Sequence, residues 1–211
     1  MTPTRRRGPV AHFAAAGEAF ADLVDQVPEY RWTRPGLGEW DVRSLTGHTA
    51  RAITTLITSI STPAEHADIS SPADYYLAAG AAQSRAELNA AVAARGVEAG
   101  RALGEQPAHL VRQWLETACL ALDAADLSMT VTTALGGMRL LDYLPTRTFE
   151  LVSHTLDLST ATAVPVTIPA AALRSTVLLA ADVAVETGQG ADVLRALTGR
   201  ARLTDGFSVV P

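Results

Sequence analysis

Arg147, Glu150, His154 and Asp157 stand three, four and three residues apart in a stretch that otherwise reads as helix. At roughly 100° per residue the four fall within an arc of about 80°. That arc lies next to the apolar line of Leu151 and Leu158, so part of it must enter a packed interior. Ionisable groups are stable there only when they are paired or coordinate a metal. Glu150 and His154, at i and i+4, can present a carboxylate oxygen and an imidazole nitrogen to one ion. A third ligand would come from another helix. Among the histidines, His48 is the one that shares an inward face with Leu45 and Ala52. The alternative is a cluster of ion pairs, Arg147 with Glu150 and Asp157 with His154. His48 would then be a buried neutral ring with one hydrogen bond. The spacing is compatible with both.

Other reactive side chains are few. His12, His66 and His109 read as surface or capping histidines. Cys119, beside Trp114, Leu115 and Leu122, reads as an inert core thiol, so a thiol nucleophile would come from outside the chain. Trp32 and Trp40 read as packing residues of a turn. All 17 basic residues are arginine. The lack of lysine excludes a Schiff-base lysine and a P-loop.

The elements that must position these groups follow from hydrophobic spacing. Phe13, Gly17, Phe20, Val24 and Val27 mark one face of a helix over 10–27, ended by Pro28. The segment 28–40 reads as an ordered turn. Asp41 caps a second helix over 42–61, with Val42, Leu45, Thr49, Ala52, Ile53, Leu56 and Ile60 inward. Ser71-Pro72-Ala73-Asp74 opens a long Ala-rich helix to about Val97. Gln106-Pro107 opens another, with Leu110, Val111, Trp114, Leu115, Ala118 and Leu122 inward. Residues 128–141, with Gly136-Gly137, predict a β-hairpin. A helix over 143–162 carries the ionisable stripe. Helices over 170–187 and 190–198 follow, and RLTDGFSVV (202–210) predicts a last short strand.

Composition narrows the function classes. The chain has 211 residues, 48% hydrophobic and 18% charged, with a formal net charge of −5 and one cysteine. One cysteine excludes a disulfide framework and a multi-cysteine zinc site. The acidic balance argues against nucleic acid as partner. No stretch approaches the ~20 apolar residues of a membrane span. Arg5-Arg6-Arg7 lacks an apolar segment after it, so residues 1–8 read as a solvated tail and the protein as cytoplasmic.

Two stretches carry a family resemblance. WTRPGLGEWDVRSLTGHTAR (32–51) resembles the segment that opens the metal site in the mycothiol-dependent maleylpyruvate isomerase metal-binding domain family, a branch of the DinB-like four-helix bundles. Trp40, Val42, Arg43, Leu45 and His48 match its first motif. RTFELVSHTLDL (147–158), reached from TTALGGMRLLDYL (132–144), resembles its second, through Arg147, Glu150, His154 and Asp157. The resemblance covers about residues 10–165.

It implies an all-α, DinB-like four-helix bundle over 9–165, running up-down-down-up, with a small β-hairpin. A short C-terminal α/β extension (166–211) would pack on it. It also implies one divalent metal on His48, Glu150 and His154, zinc by default, with nickel or iron also suited to such a set. Three protein ligands leave a position open, which the family fills with the thiol of a cofactor such as mycothiol. The expected activity is S-transfer, conjugation or cis–trans isomerisation of a small electrophile. The catalytic candidates beside the metal are Asp157, to orient a histidine N–H, and Arg147, to steady Glu150 or meet a substrate carboxylate. The expected partners are that electrophile and a low-molecular-weight thiol, without nucleic acid or membrane, the protein being a monomer or homodimer. The competing readings are a non-catalytic metal- or ligand-binding bundle and a metal-dependent hydrolase using bound water.

Overall fold

Proline and aspartate set the helix starts. In the computed structural model, which describes residues 8–82 and 85–210, helix α1 (Pro9–Asp25) begins on proline, whose missing N–H costs nothing at that position. The expected tail, up to residue 7, lies outside the described residues. Helix α2 (Val42–Ile60) is capped by Asp41, whose Oδ1 accepts from the Ser44 N–H at 2.7 Å. Ser71 Oγ accepts from the Asp74 N–H at 3.1 Å at the start of α3 (Pro72–Ala82). Helix α5 (Pro107–Ala124) again opens on proline.

The long helix expected over 72–97 is described as two stretches, α3 and α4 (Arg85–Ala102), with residues 83 and 84 outside the description. The two serve different neighbours. Helix α4 packs on α2, whereas α3 packs on α6 (Leu140–Thr162) and α7 (Ala170–Glu186). The helical character also runs on to Ala102, beyond the expected end near Val97.

Helices α1, α2, α5 and α6 form the bundle, α1 and α2 each packing against both α5 and α6. Phe13, Phe20, Leu45, Ile53, Leu56, Leu144, Leu151 and Leu158 are fully buried in its core. These are positions that the three- and four-residue spacing places inward. Full burial of one such side chain stabilises by about 1.5–3 kcal/mol, which is what holds polar groups in place beside them.

The hairpin forms, but its turn is displaced. Strands β1 (Thr130–Thr133) and β2 (Gly136–Arg139) are antiparallel, with Thr133 opposite Gly136, so Ala134 and Leu135 make the turn. Gly136 and Gly137 lie inside β2 instead. Their lack of side chains admits the segment after α2: a Cβ on Gly137 would stand 1.9 Å from the His66 carbonyl oxygen. Asp68 and Ile69 donate their N–H groups to the Gly137 carbonyl at 2.7 and 3.0 Å.

Helix α6 starts at Leu140, directly from β2, and takes Pro145 into its second turn. The missing proline N–H leaves the Leu141 carbonyl without its helical donor. The extension is helical, α7 followed by α8 (Gly190–Leu197). The strand expected at 202–210 does not form. Gly206 sits at φ 72° in a turn, and Val209 and Val210 pack against Tyr76, Phe149, Leu179 and Val183 rather than pairing with a strand. Among the described residues, no helix is long and apolar enough to cross a membrane.

Candidate metal centre

Helices α2 and α6 pack together and bring His48, Glu150 and His154 into one polar cluster. One potential ligand atom from each lies within 4.8 Å of the other two. The His48 and His154 rings meet edge to face, with centroids 4.8 Å apart. All three residues are half-buried, so the cluster lies at a boundary where an ion could be reached from outside.

Each member is held by a different kind of neighbour. His154 sits between two carboxylates. Its Nδ1 lies 3.0 Å from Asp157 Oδ2 and its Nε2 lies 3.4 Å from Glu150 Oε2. Burial alone would depress its pKa, but the hydrogen bonds with Asp157 and Glu150 outweigh burial and raise it to about 9. The Glu150 carboxylate accepts a hydrogen bond from the Tyr76 hydroxyl at 2.8 Å. Burial pushes this carboxyl up, yet His154, Arg147 and Tyr76 together hold it down at about 2. Burial keeps the Tyr76 phenol protonated, with its pKa far above the ordinary value, so it remains a donor.

His48 is the opposite case. Burial, followed by the neighbouring His154, lowers it to about 4, so the ring is neutral. Its Nδ1 is buried without a hydrogen-bond partner. A neutral imidazole keeps one nitrogen lone pair, and the ring plane is fixed by Trp40, which stacks on it at 4.4 Å between centroids, tilted by 32°. The single hydrogen bond expected of a purely structural buried histidine is not made at Nδ1.

The outer stripe residues lie where the spacing put them. Arg147 is buried, its guanidinium 4.7 Å from the Tyr143 ring and 5.3 Å from the Tyr75 ring. Its Nε donates to Thr146 Oγ1 at 3.1 Å. Burial works against its charge, but Tyr143, Tyr75 and Glu150 more than offset that and raise its pKa. Arg147 makes no ion pair with Glu150 and acts on it through the field. Asp157 pairs with His154, as the ion-pair reading also expects.

Three contributors have roles at the site that were not expected from sequence. Tyr76 arrives from α3, and its signal was the Tyr75-Tyr76 pair in an otherwise Ala-rich helix. Trp40 does pack in the turn, as expected, and in addition stacks on His48 and donates its indole N–H to the Ala93 carbonyl of α4 at 3.0 Å. The glycines of α2 and α4 are the third. A Cβ on Gly47 would lie 2.2 Å from the Gly100 nitrogen, and one on Gly96 would lie 2.5 Å from the Trp40 ring. Their signal is close backbone approach, which no periodicity reveals.

His12, His66 and His109 are not part of the cluster. Cys119 lies partly buried against the core.

The chemistry of the donors fits a divalent cation. Two imidazoles and one carboxylate form an N/O set suited to zinc, nickel or iron. A histidine whose second nitrogen bonds a carboxylate is the usual outer support of such a site. A family model described as the mycothiol maleylpyruvate isomerase N-terminal domain matches residues 13–159, a span that holds all three residues. No curated protein and no solved structure matches the chain.

Proposed function

This chain belongs to the mycothiol maleylpyruvate isomerase N-terminal domain family, and from that premise we propose a metal-dependent enzyme that uses a low-molecular-weight thiol on a small electrophile. The observation that carries this reading is the convergence of His48, Glu150 and His154 within 4.8 Å, together with the unpartnered buried Nδ1 of His48. His48, Glu150 and His154 would hold one divalent ion, zinc in the first instance, leaving at least one position open. An ion bound there supplies Lewis acidity and lowers the pKa of a thiol that meets it, giving a nucleophile at neutral pH.

The chain's own residues prepare that site. Tyr76 and Arg147 keep Glu150 ionised and aimed. Asp157 holds the Nδ1 proton of His154 and so leaves Nε2 as the ligand atom. Trp40 fixes the plane of His48. Arg147 and Asp157 are thus positioning residues, acting through Glu150 and His154. The thiol is mycothiol-like, as the family's name suggests. The reaction is S-transfer, conjugation or cis–trans isomerisation. In this reading residues 9–165 form the metal-binding unit and 166–211 an extension of it.

Elemental analysis of the purified protein beside His48→Ala and His154→Ala tests the site. The expected result is about one equivalent of metal in wild type, lost in both variants while the helical circular dichroism persists. A wild-type protein without metal after growth in zinc- or nickel-supplemented medium would reduce the cluster to an ion-pair network.

A further inference from the structure

The C-terminal segment 202–210 has neither helix nor strand. It folds into turns of its own: the Phe207 N–H donates to the Thr204 carbonyl at 3.0 Å, and Ser208 Oγ donates to the Val210 carbonyl at 2.8 Å. Among the described residues, 202–210 make no hydrogen bond and no ion pair to the rest of the molecule. The segment is held by apolar contact instead. Val209 and Val210, both half-buried, pack against the cluster of Tyr76, Phe149, Leu179 and Val183, which joins α3, α6 and α7.

Tyr76 is the polar member of that cluster, and its hydroxyl has two acceptors within reach. It lies 2.8 Å from Glu150 Oε1 and 3.3 Å from the Thr146 carbonyl, one helical turn earlier on α6. A phenol carries a single O–H. The shorter contact takes it to Glu150, and a small tilt of the ring toward the start of α6 would hand it to Thr146. Packing is what fixes the ring. Tyr76 is 6% exposed, with the Phe149 and Tyr75 ring centroids 5.1 and 5.7 Å from its own. In a packed cluster a change of even one methylene is felt by its neighbours.

We propose that Val209 and Val210 are positioning residues for Glu150: they close the cluster that holds the Tyr76 ring and so keep its hydroxyl on the carboxylate. What this does for a metal ion rests on the function proposed above; the positioning itself does not. The family match ends at residue 159, so the support comes from a part of the chain outside it. A hydrogen bond to a carboxylate is charge-assisted and strengthens where water is kept away. Loss of a partner that orients a ligand lowers metal affinity by roughly 10–100-fold.

Two measurements on the full chain test the proposal. One is zinc affinity, by competition with a chelator. The other is exchange of the Tyr76 hydroxyl proton with water, followed by NMR in the metal-free protein. Val209→Ala combined with Val210→Ala should weaken zinc by roughly tenfold, and Tyr76→Phe by at least as much, with the helical circular dichroism retained. Adding the valine changes to Tyr76→Phe should weaken zinc by no more than about a further twofold, because the hydroxyl through which they act is gone. The valine pair should also speed hydroxyl exchange by on the order of tenfold. Leu197→Ala, 75% exposed in the same extension, should change neither quantity. If the double variant fails to fold, each valine changed singly carries the test. Fully additive zinc losses overturn the proposal, since the valines would then support the fold and not the hydroxyl. Wild-type zinc affinity, or wild-type exchange, in folded valine variants overturns it as well. A wild-type protein that takes up no zinc sinks the metal reading, and the exchange rates then decide the positioning alone.

Discussion

Helices α6 and α4 both pack on α2, and they do so by opposite means. Helix α6 brings charge: Glu150 and His154 meet His48, backed by Asp157, Arg147 and the Tyr76 hydroxyl. Helix α4 brings an absence of side chains. Gly96 makes room for the Trp40 ring, and Gly100 lets its backbone touch Gly47 and Ser44. His48 is therefore positioned twice, through the ions it faces and through the Trp40 ring that α4 holds in place. The difference teaches that a polar cluster and a close backbone approach fail in different ways. Deleting a charge strands its partners, whereas adding one carbon forces two backbones apart.

The largest effect should come from breaking the α6 side. Glu150→Ala leaves Arg147 and His154 without their shared anion. Removing one partner of a buried ion group costs roughly 3–5 kcal/mol. Denaturant titration of the metal-free protein measures it, and metal uptake should vanish in the same variant. A loss below about 1 kcal/mol would mean that water already screens the cluster. On the α4 side, Gly47→Ala places a carbon 2.2 Å from the Gly100 nitrogen, where the obstacle is backbone and not a movable side chain. Overpacking of this kind costs about 1–3 kcal/mol. The same variant should retain its metal stoichiometry, because it removes no ligand.

The two sides also differ in how far they can be read from sequence. The stripe on α6 was legible because ionisable residues next to Leu151 and Leu158 break an apolar face, and that conflict has few physical solutions. His48 was legible for the same reason, lying between Leu45 and Ala52. The helix-bundle fold followed from three- and four-residue spacing at Phe13, Phe20, Leu45 and Leu56. What α4 does was not legible. Gly96 and Gly100 sit in an Ala-rich stretch where small residues signal only a helix, and their purpose appears once Trp40 and Gly47 are brought against them. The hairpin shows the same limit: glycines that looked like a turn serve instead to admit the His66–Asp68 backbone. The C-terminal valines looked like a strand because β-branched residues favour one, yet Val209 and Val210 are partly buried against the cluster of Tyr76 and Phe149 without any strand partner.

A third prediction separates the two histidines. Without metal, His154 is held charged up to about pH 9, whereas His48, lowered to about 4, is neutral throughout the ordinary range. A ligand nitrogen must be free of its proton. Metal affinity should therefore rise with pH by about tenfold per unit from near neutrality and level off as pH passes 9. About one proton should be released per ion bound, measurable by calorimetry in buffers of different ionisation heat. Asp157→Asn removes the partner that most raises the His154 pKa, so the levelling should move to lower pH. A pH-independent affinity between 6 and 9 would show that His154 enters the site already neutral, and Arg147 would then be the cation that holds Glu150 before metal arrives.

The smallest effect is a control on what burial contributes. Arg112 of α5 meets Asp22, Asp25 and Glu18 of α1 in an ionic cluster of its own, but its side chain is 41% exposed. Its partners hold its pKa above the ordinary value, led by the Asp25 hydrogen bond. That shift does not convert into stability, because solvent and salt screen a pair that water reaches. Arg112→Ala should cost less than about 1 kcal/mol, and the loss should shrink further in molar salt. Glu150→Ala, measured in the same titrations, should keep more of its cost as salt is raised, because Arg147 is buried and Glu150 and His154 are less exposed than Arg112. If the two losses respond to salt alike, exposure does not separate the clusters, and the contrast between the α6 site and an ordinary surface network would rest on geometry alone.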